Sequence, residues 1–272
     1  REPMGVVTVI SPWNFPTATA SWKIAPALAF GNAVIWKPAN LTPASAVLLT
    51  EIIAKQDIPA GLFNLVMGSG ASVGEKLINS NDIDAISFTG SLAVGKRVAV
   101  AAASNLTKFQ LEMGSKNALV VLDDADLDNA ADCAVNGAFG GTGQKCTASS
   151  RLIVTAGVHD EFVAKVQERM AKLKVGGALE EGVTIGPAVD AKQYAQNKEY
   201  FKLAKDEGAQ LVCGGEFDDS QGYFMTPALF INTTNQMRIN TDEAFAPLAC
   251  VIKVADYAEE FYTEVKTTYM KA

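Results

Sequence analysis

Histidine is almost missing from this sequence: His159 is the only one in 272 residues. A hydrolase of the Cys–His or Ser–His type needs an imidazole beside its nucleophile. His159, in "GVHDEF", sits directly before a helical pattern, where a surface or capping neighbour is the commoner role. The cysteines are also few and scattered: Cys133, Cys146, Cys213 and Cys250, with no CxxC and no Cys/His cluster. Disulfides and a metal site are therefore not expected, and reduced thiols in a cytoplasm are. No apolar run approaches the roughly 18 residues of a membrane span. No Lys/Arg-rich run accompanies the net charge of −7, which argues against a nucleic-acid surface. The first residues, "REPMGVVTVISP", carry no signal pattern and no initiator Met, so the chain reads as the middle of a longer protein.

What is present is an average globular composition, with apolar residues at 49% and charged residues at 19%. Short β-branched runs, "GVVTVI" (5–10), "NAVIW" (32–36), "LFNLVMG" (62–68) and "AISFTG" (85–90), alternate with helical stretches. Thr42-Pro43 reads as an N-cap and N1 pair opening "ASAVLLTEIIAKQ", and "SVGEKLI" and "LAVGKRVAVAAA" read as further helices. Fully apolar strands between helices predict a doubly wound α/β unit with a parallel sheet covered on both faces. A second α/β block follows: "KFQLEMG", "NALVVL" and "RLIVT" as strands, and "ADLDNAADCAVNGAFG" as a helix. In "DEFVAKVQERMAKLKVGG", Phe162, Val166, Met170 and Leu173 share one face and Gly176 ends the helix. A helix and a strand over "DAKQYAQNKEYFKLAKDEGAQLVCGG" complete it. The division is placed at residues 1–111 and 112–272. The tail "DYAEEFYTEVKTTYMKA" has no clear pattern and no assigned role.

Cys146 ends the glycine loop "GGTGQKC", where a flexible backbone can approach a substrate closely. A nucleophilic cysteine acts as its thiolate, while an inert buried thiol is the usual alternative. Cys133, Cys213 and Cys250, near or inside apolar runs, fit that alternative. With so little histidine, a carboxylate must supply any general base. Glu112, in "QLEMGSKN", lies where a strand meets a glycine turn, so partial burial and a raised pKa are expected there. Glu243, in "NTDEAFAP", lies in a loop, and a solvated surface charge is the ordinary reading of either acid. Asn14 in "SPWNFP" offers a carboxamide as an oxyanion donor. Gly90-Ser91 lie between a strand and a helix, where exposed N–H groups suit a phosphate. "GSGASVG" (68–74) lacks strict GxGxxG spacing and is a weak signal by itself.

In this order, "PWNFP", "WKPA", "FTGSLAVG", "LEMGSKN", "GQKC" and "EAFAPL" resemble the signatures of the aldehyde dehydrogenase superfamily, across residues 1 to about 252. The resemblance implies a cofactor-binding domain followed by a catalytic domain. Cys146 would be the nucleophile, Asn14 an oxyanion donor beside the Cys146 N–H, and Glu112 the base that activates the hydrolytic water. NAD or NADP would be the cofactor. Lys37 would meet the adenosine ribose, Gly90 and Ser91 the pyrophosphate, and Glu243 with Phe245 the nicotinamide ribose. Ile10, Pro12, Trp13, Ala39, Asn40, Gly70, Val94 and Met113 would complete the cofactor pocket. Asn40 stands where NAD-preferring members often carry Glu, which admits NADP; Met113 and Ser115 replace the usual Leu and Gly. The loop around Cys146 is most similar to members acting on semialdehydes of dicarboxylic acids, such as 2-oxoglutarate or succinate semialdehyde. Lys145 beside the nucleophile is either an anion guide or a solvated lysine. The family's terminal segments are absent, so a fragment is expected, and the homo-oligomer expected of the full-length family is doubtful for this fragment. A non-catalytic nucleotide-binding fragment and a CoA-acylating relative are the alternatives, the latter disfavoured by Glu112.

Overall fold

The computed structural model describes residues 1–256. The chain divides into two compact units, Arg1–Gly114 and Ser115–Ala272, each built on its own five-stranded sheet. The tail from residue 257 lies outside the described residues.

In the first unit the elements run β1 (Val6–Ile10), α1 (Ala18–Ala29), β2 (Ala33–Lys37), α2 (Pro43–Ala54), β3 (Phe63–Leu65), α3 (Glu75–Ile78), β4 (Ala85–Gly90), α4 (Leu92–Ser104) and β5 (Lys108–Met113). The sheet order is β3-β2-β1-β4-β5 and every pair is parallel. The chain steps outward from β1 to β3, then returns to lay β4 on the other side of β1. That reversal is the switch point of a doubly wound sheet. Strand alternation distributes β1 between two cores. Val7 and Val9 pack with Ala20 and Ile24 of α1 and Ala46 of α2. On the other face Val6 and Ile10 meet the cluster holding Val98, Ala101 and Ala102 of α4. Both faces are thus covered, which is why these strands read as unbroken apolar runs.

The second unit runs β6 (Ala118–Val121), α5 (Leu127–Phe139), β7 (Arg151–Thr155), α6 (His159–Met170), α7 (Ala191–Asp206), β8 (Gln210–Cys213), β9 (Phe217–Asp218), β10 (Phe224–Met225), β11 (Ala228–Ile231), α8 (Arg238–Thr241) and β12 (Leu248–Val254). Its main sheet is ordered β6-β7-β12-β11-β8, parallel except for β8, which runs antiparallel to β11. Helices α5 and α6 bury Ala134, Phe139, Phe162 and Val166 against Leu152, Val154 and Val251. The opposite face buries Phe230, Leu248 and Cys250 with Ala204 of α7 and Ile239 of α8.

Four local expectations are corrected. "KFQLEMG" belongs to the first sheet, because β5 pairs with β4 from Lys108 to Met113, so a division after residue 111 would cut a strand. Pro43 opens α2, yet Thr42 makes no side-chain cap bond and its buried hydroxyl has no partner. Helix α6 stops at Met170, short of Gly176, because the chain turns so that Lys174 O accepts from Thr184 N and Ile185 N. His159 is buried at 6% exposure as the first residue of α6, with Nδ1 2.6 Å from Asp160 Oδ1.

Candidate active site

Parallel strands deliver their carboxyl ends to one edge of a sheet, where open α/β folds take ligands. The first-unit candidates gather along that edge. Ile10 ends β1 and Pro12, Trp13 and Asn14 follow it; Lys37 ends β2 and Ala39 and Asn40 follow. Gly70 opens a π-helical turn after β3. Gly90 ends β4, Ser91 and Val94 begin the next helix, and Glu112 and Met113 end β5.

The exit of β1 is pinned. Ser11, 3% exposed, donates its backbone N–H to Lys37 O at 3.2 Å and accepts from Trp36 Nε1 at 2.9 Å. Lys37 itself is 6% exposed, and burial lowers its pKa. Its ammonium donates to Pro38 O at 2.9 Å and carries two further N–H groups that a ribose diol can accept from. Ser91 caps α4, its Oγ accepting from Val94 N at 3.4 Å. A Cβ at Gly90 would come within 2.6 Å of the Phe88 ring, so only glycine lets the backbone lie this close at the helix N-terminus. Met113 packs against Gly95 of α4, where a Cβ would meet its sulfur at 2.4 Å. These residues fit a dinucleotide: a buried ammonium for the ribose and a tight, capped turn for the phosphates.

Glu112 departs from expectation. It is exposed on the edge strand β5 rather than partly buried, and its Oε1 accepts from Gln110 Nε2 at 2.7 Å. Gln110 is in turn held by Lys23 Nζ at 2.8 Å and Ser87 Oγ at 2.6 Å. The neighbouring carboxamide therefore orients this carboxylate.

In the second unit the glycine loop is constrained rather than loose. Gly141, Thr142 and Gly143 all adopt left-handed backbone, φ 63°, 60° and 65°. Thr142 is held there, 4% exposed, by its hydroxyl donating to Gly186 O at 3.1 Å. At Gly143 a Cβ would sit 2.2 Å from Ala246 O, so no other residue fits. Gln144 clamps the loop at both ends of its amide: Nε2 donates to Pro187 O at 3.3 Å and Oε1 accepts from Val189 N at 2.9 Å. Cys146 follows with its side chain exposed. Lys145 is not a freely solvated lysine: its ammonium donates to Asn136 O of α5 at 3.1 Å, and burial lowers its pKa.

Glu243 is half-buried rather than solvated. Burial raises its pKa, while the Ser115 N–H, 3.2 Å from Oε1, and the Lys116 charge act against that rise. Lys116 is itself lowered to about 8, chiefly by burial. Phe245 adopts left-handed backbone, φ 55°, a strained state for an aromatic residue. Two side chains of α7 hold it: Gln193 Nε2 donates to Phe245 O at 3.2 Å, and Gln196 Nε2 to Ala244 O at 3.0 Å. Gly143, Lys145, Ser115, Glu243 and Phe245 line one small cavity of about 10 Å³, roughly one water. The cysteine loop and the Glu243 segment are thus neighbours.

The other thiols divide. Cys250 is 1% exposed and burial pushes it up to about 12; burial also raises Cys213. Cys133, expected to be buried, is exposed on α5. Sequence patterns missed Thr142, Gln144, Gln193, Gln196 and Asn117, whose partners lie between 29 and 52 residues away along the chain. No local spacing signals such contacts.

Comparison with known proteins agrees with this arrangement. The model of the aldehyde dehydrogenase family matches residues 1–269. The 2,5-dioxopentanoate dehydrogenase of Saccharolobus solfataricus is 44% identical over 95% of this chain and 54% of its own. The NADP-dependent succinate-semialdehyde dehydrogenase of Escherichia coli is 39% identical, with the same coverage, 95% and 54%. A crystal structure of betaine aldehyde dehydrogenase from Staphylococcus aureus in complex with NAD+ superimposes with a TM-score of 0.92 at 36% identity, over 95% of this chain and 52% of that one. The chain spans about half the length of the relatives it matches. Matched along nearly all of its length and carrying the fold in both units, the chain belongs to the aldehyde dehydrogenase family.

Proposed function

We propose that this chain carries the chemistry of an NAD(P)-dependent dehydrogenase that oxidises a semialdehyde of a dicarboxylic acid to the corresponding acid. The observation that carries the proposal is the exposed Cys146 thiol at the end of a loop whose preceding residues are all fixed by hydrogen bonds or steric fit. A nucleophile on a held backbone keeps its attack geometry without further ordering.

In this reading the Cys146 thiolate adds to the aldehyde carbon, and the carbonyl oxygen becomes an oxyanion. Asn14 and the Cys146 N–H donate to that oxygen, which holds most charge in the transition state. A bound nicotinamide dinucleotide would supply the acceptor for the hydride that leaves the former aldehyde carbon. Cys146 is then a thioester. Glu112 takes a proton from water, the resulting hydroxide equivalent adds to the thioester carbon, and the acid leaves as the thiol is restored. Lys37, Gly90 and Ser91 would hold the ribose and pyrophosphate of that cofactor, and Glu243 with Phe245 would hold the second ribose. No described helix is long and apolar enough to cross a membrane. All four cysteines are thiols, which fits a reducing cytoplasm. A homo-oligomer is the assembly expected of the whole protein.

The test is reduced-cofactor absorbance from the purified chain with succinate semialdehyde and either NAD or NADP. Cysteine-dependent signal supports the reading. Cofactor binding without oxidation favours a nucleotide-binding fragment, and product formation accelerated by CoA favours the acylating alternative.

Two substitutions probe the first unit. Asn14→Ala is expected to lower kcat by about 10²–10³ and leave cofactor affinity unchanged; an unchanged kcat removes Asn14 from the oxyanion site. Asn40 is exposed just beyond the end of β2. Asn40→Glu places a negative charge there, and the ratio of kcat/KM for NAD over NADP is expected to rise about tenfold, ~1.4 kcal/mol. A constant ratio shows that position 40 does not read the ribose 2′ substituent.

A further inference from the structure

Between the two second-unit groups assigned to cofactor and substrate lies a continuous path of hydrogen bonds that neither role accounts for. Asn117 is 7% exposed and its backbone carbonyl accepts from Arg151 N at 3.2 Å, which fixes it to the start of β7. Its Nδ2 donates to Cys146 O at 2.7 Å and to Ala148 O at 3.3 Å. Both amide hydrogens therefore face carbonyls, and the orientation of the carboxamide follows from that alone. Its Oδ1 faces Ser115 Oγ at 2.9 Å, so the serine hydroxyl must be the donor. The backbone N–H of the same serine donates to Glu243 Oε1 at 3.2 Å.

We propose that Ser115 and Asn117 are positioning residues that couple the carboxylate of Glu243 to the backbone of Cys146. The proposal rests on the reading of Cys146 as nucleophile and Glu243 as cofactor-holding carboxylate. The coupling has a plain mechanical basis. Holding Cys146 O fixes the peptide plane that follows the nucleophile, and with it the backbone that carries the thiol and the Lys145–Ala148 turn, where Ala148 N donates to Lys145 O at 3.1 Å. Ser115 sets the position of the Asn117 carboxamide. A ligand that draws on Glu243 shifts the peptide N–H attached to Ser115, and the hydroxyl of that residue transmits the shift to Asn117 and Cys146. Ser115 stands where the family pattern has glycine, so this chain adds the hydroxyl that closes the path. Glycine at that position would keep the N–H to Glu243 and lose the link to Asn117.

The test follows the alkylation of Cys146 by iodoacetamide, read on its peptide by mass spectrometry, with exposed Cys133 as internal reference. It is run on the full chain with and without saturating NAD or NADP, while cofactor binding is measured separately by calorimetry. In the parent chain, cofactor is expected to change the Cys146 rate by about fivefold or more, the lower end of ordinary site-to-site coupling. Ser115→Ala and Ser115→Gly, which remove the hydroxyl and keep the N–H to Glu243, are expected to abolish that dependence. Ser115→Thr, which retains a hydroxyl, is expected to preserve the dependence. Asn117→Ala is expected to change the Cys146 rate even without cofactor. A cofactor dependence that survives Ser115→Ala and Ser115→Gly overturns the coupling and leaves the roles of Cys146 and Glu243 standing. A parent chain that binds neither cofactor overturns those roles and the coupling together. Bound cofactor with no effect on Cys146 overturns the coupling alone.

Discussion

Cys146→Ala is expected to abolish aldehyde oxidation, with a loss on the order of 10⁴-fold or more, and to leave cofactor affinity within about twofold. The size follows from the lack of a substitute. Cys250 is inside the second core and held near 12 by burial, so it supplies no thiolate at neutral pH. Cys213 is likewise raised by burial. Cys133 is exposed, but it sits within helix α5 rather than at the end of the loop. The unchanged affinity follows from how the loop is held. Thr142, Gln144 and Asn117 fix it through backbone and side-chain groups other than the Cys146 sulfur. Alanine therefore removes the reacting atom without releasing the loop. Steady-state absorbance of reduced cofactor, with calorimetric titration of the cofactor, measures both quantities. Oxidation retained in the alanine variant would falsify the nucleophile assignment.

The fold was legible wherever burial is two-sided and local. β1, β2 and β4 are largely apolar because helices cover both faces, and proline or glycine marks the carboxyl end of each. The block to which β5 belongs is not legible locally: "KFQLEMG" pairs with β4, and pairing partners are not written in a strand's own residues. The end of α6 is hidden for a similar reason: Leu173 keeps the helical spacing and packs on the core from a non-helical turn, whose conformation is set by pairing with residues 184 and 185. The candidate residues were legible only as motifs, and the first-unit set lies at or after the carboxyl ends of its strands. The state of each side chain was not. Glu112 is exposed, Glu243 is half-buried and Lys145 is tied to a helix carbonyl, each through neighbours set by tertiary packing. The glycine-rich spelling "GGTGQKC" suggested looseness, yet the same glycines permit the left-handed backbone that lets Thr142 and Gln144 lock the loop.

Glu112→Gln is expected to separate the two halves of the reaction. Glutamine has the shape of glutamate and can keep the hydrogen bond to Gln110, so the edge strand β5 has no reason to move. In the proposed mechanism, thiohemiacetal formation and hydride loss need no water-activating base at this position. Hydrolysis does need one, since neutral water is a poor nucleophile toward a thioester. Pre-steady-state absorbance should therefore show a burst approaching one reduced cofactor per Cys146. A steady-state rate about 10²–10⁴-fold below the parent should follow, the usual worth of a positioned general base. The acyl group should accumulate on the Cys146 peptide and be visible by mass. The exposure of Glu112 gives this expectation its edge: water reaches an exposed carboxylate directly, and the Gln110 amide orients it. If the variant cycles at the parent rate, another group activates the water. If it stalls and CoA releases the acyl group faster than water does in the parent as well, the thioester is meant for a thiol acceptor, and the acylating alternative replaces hydrolysis.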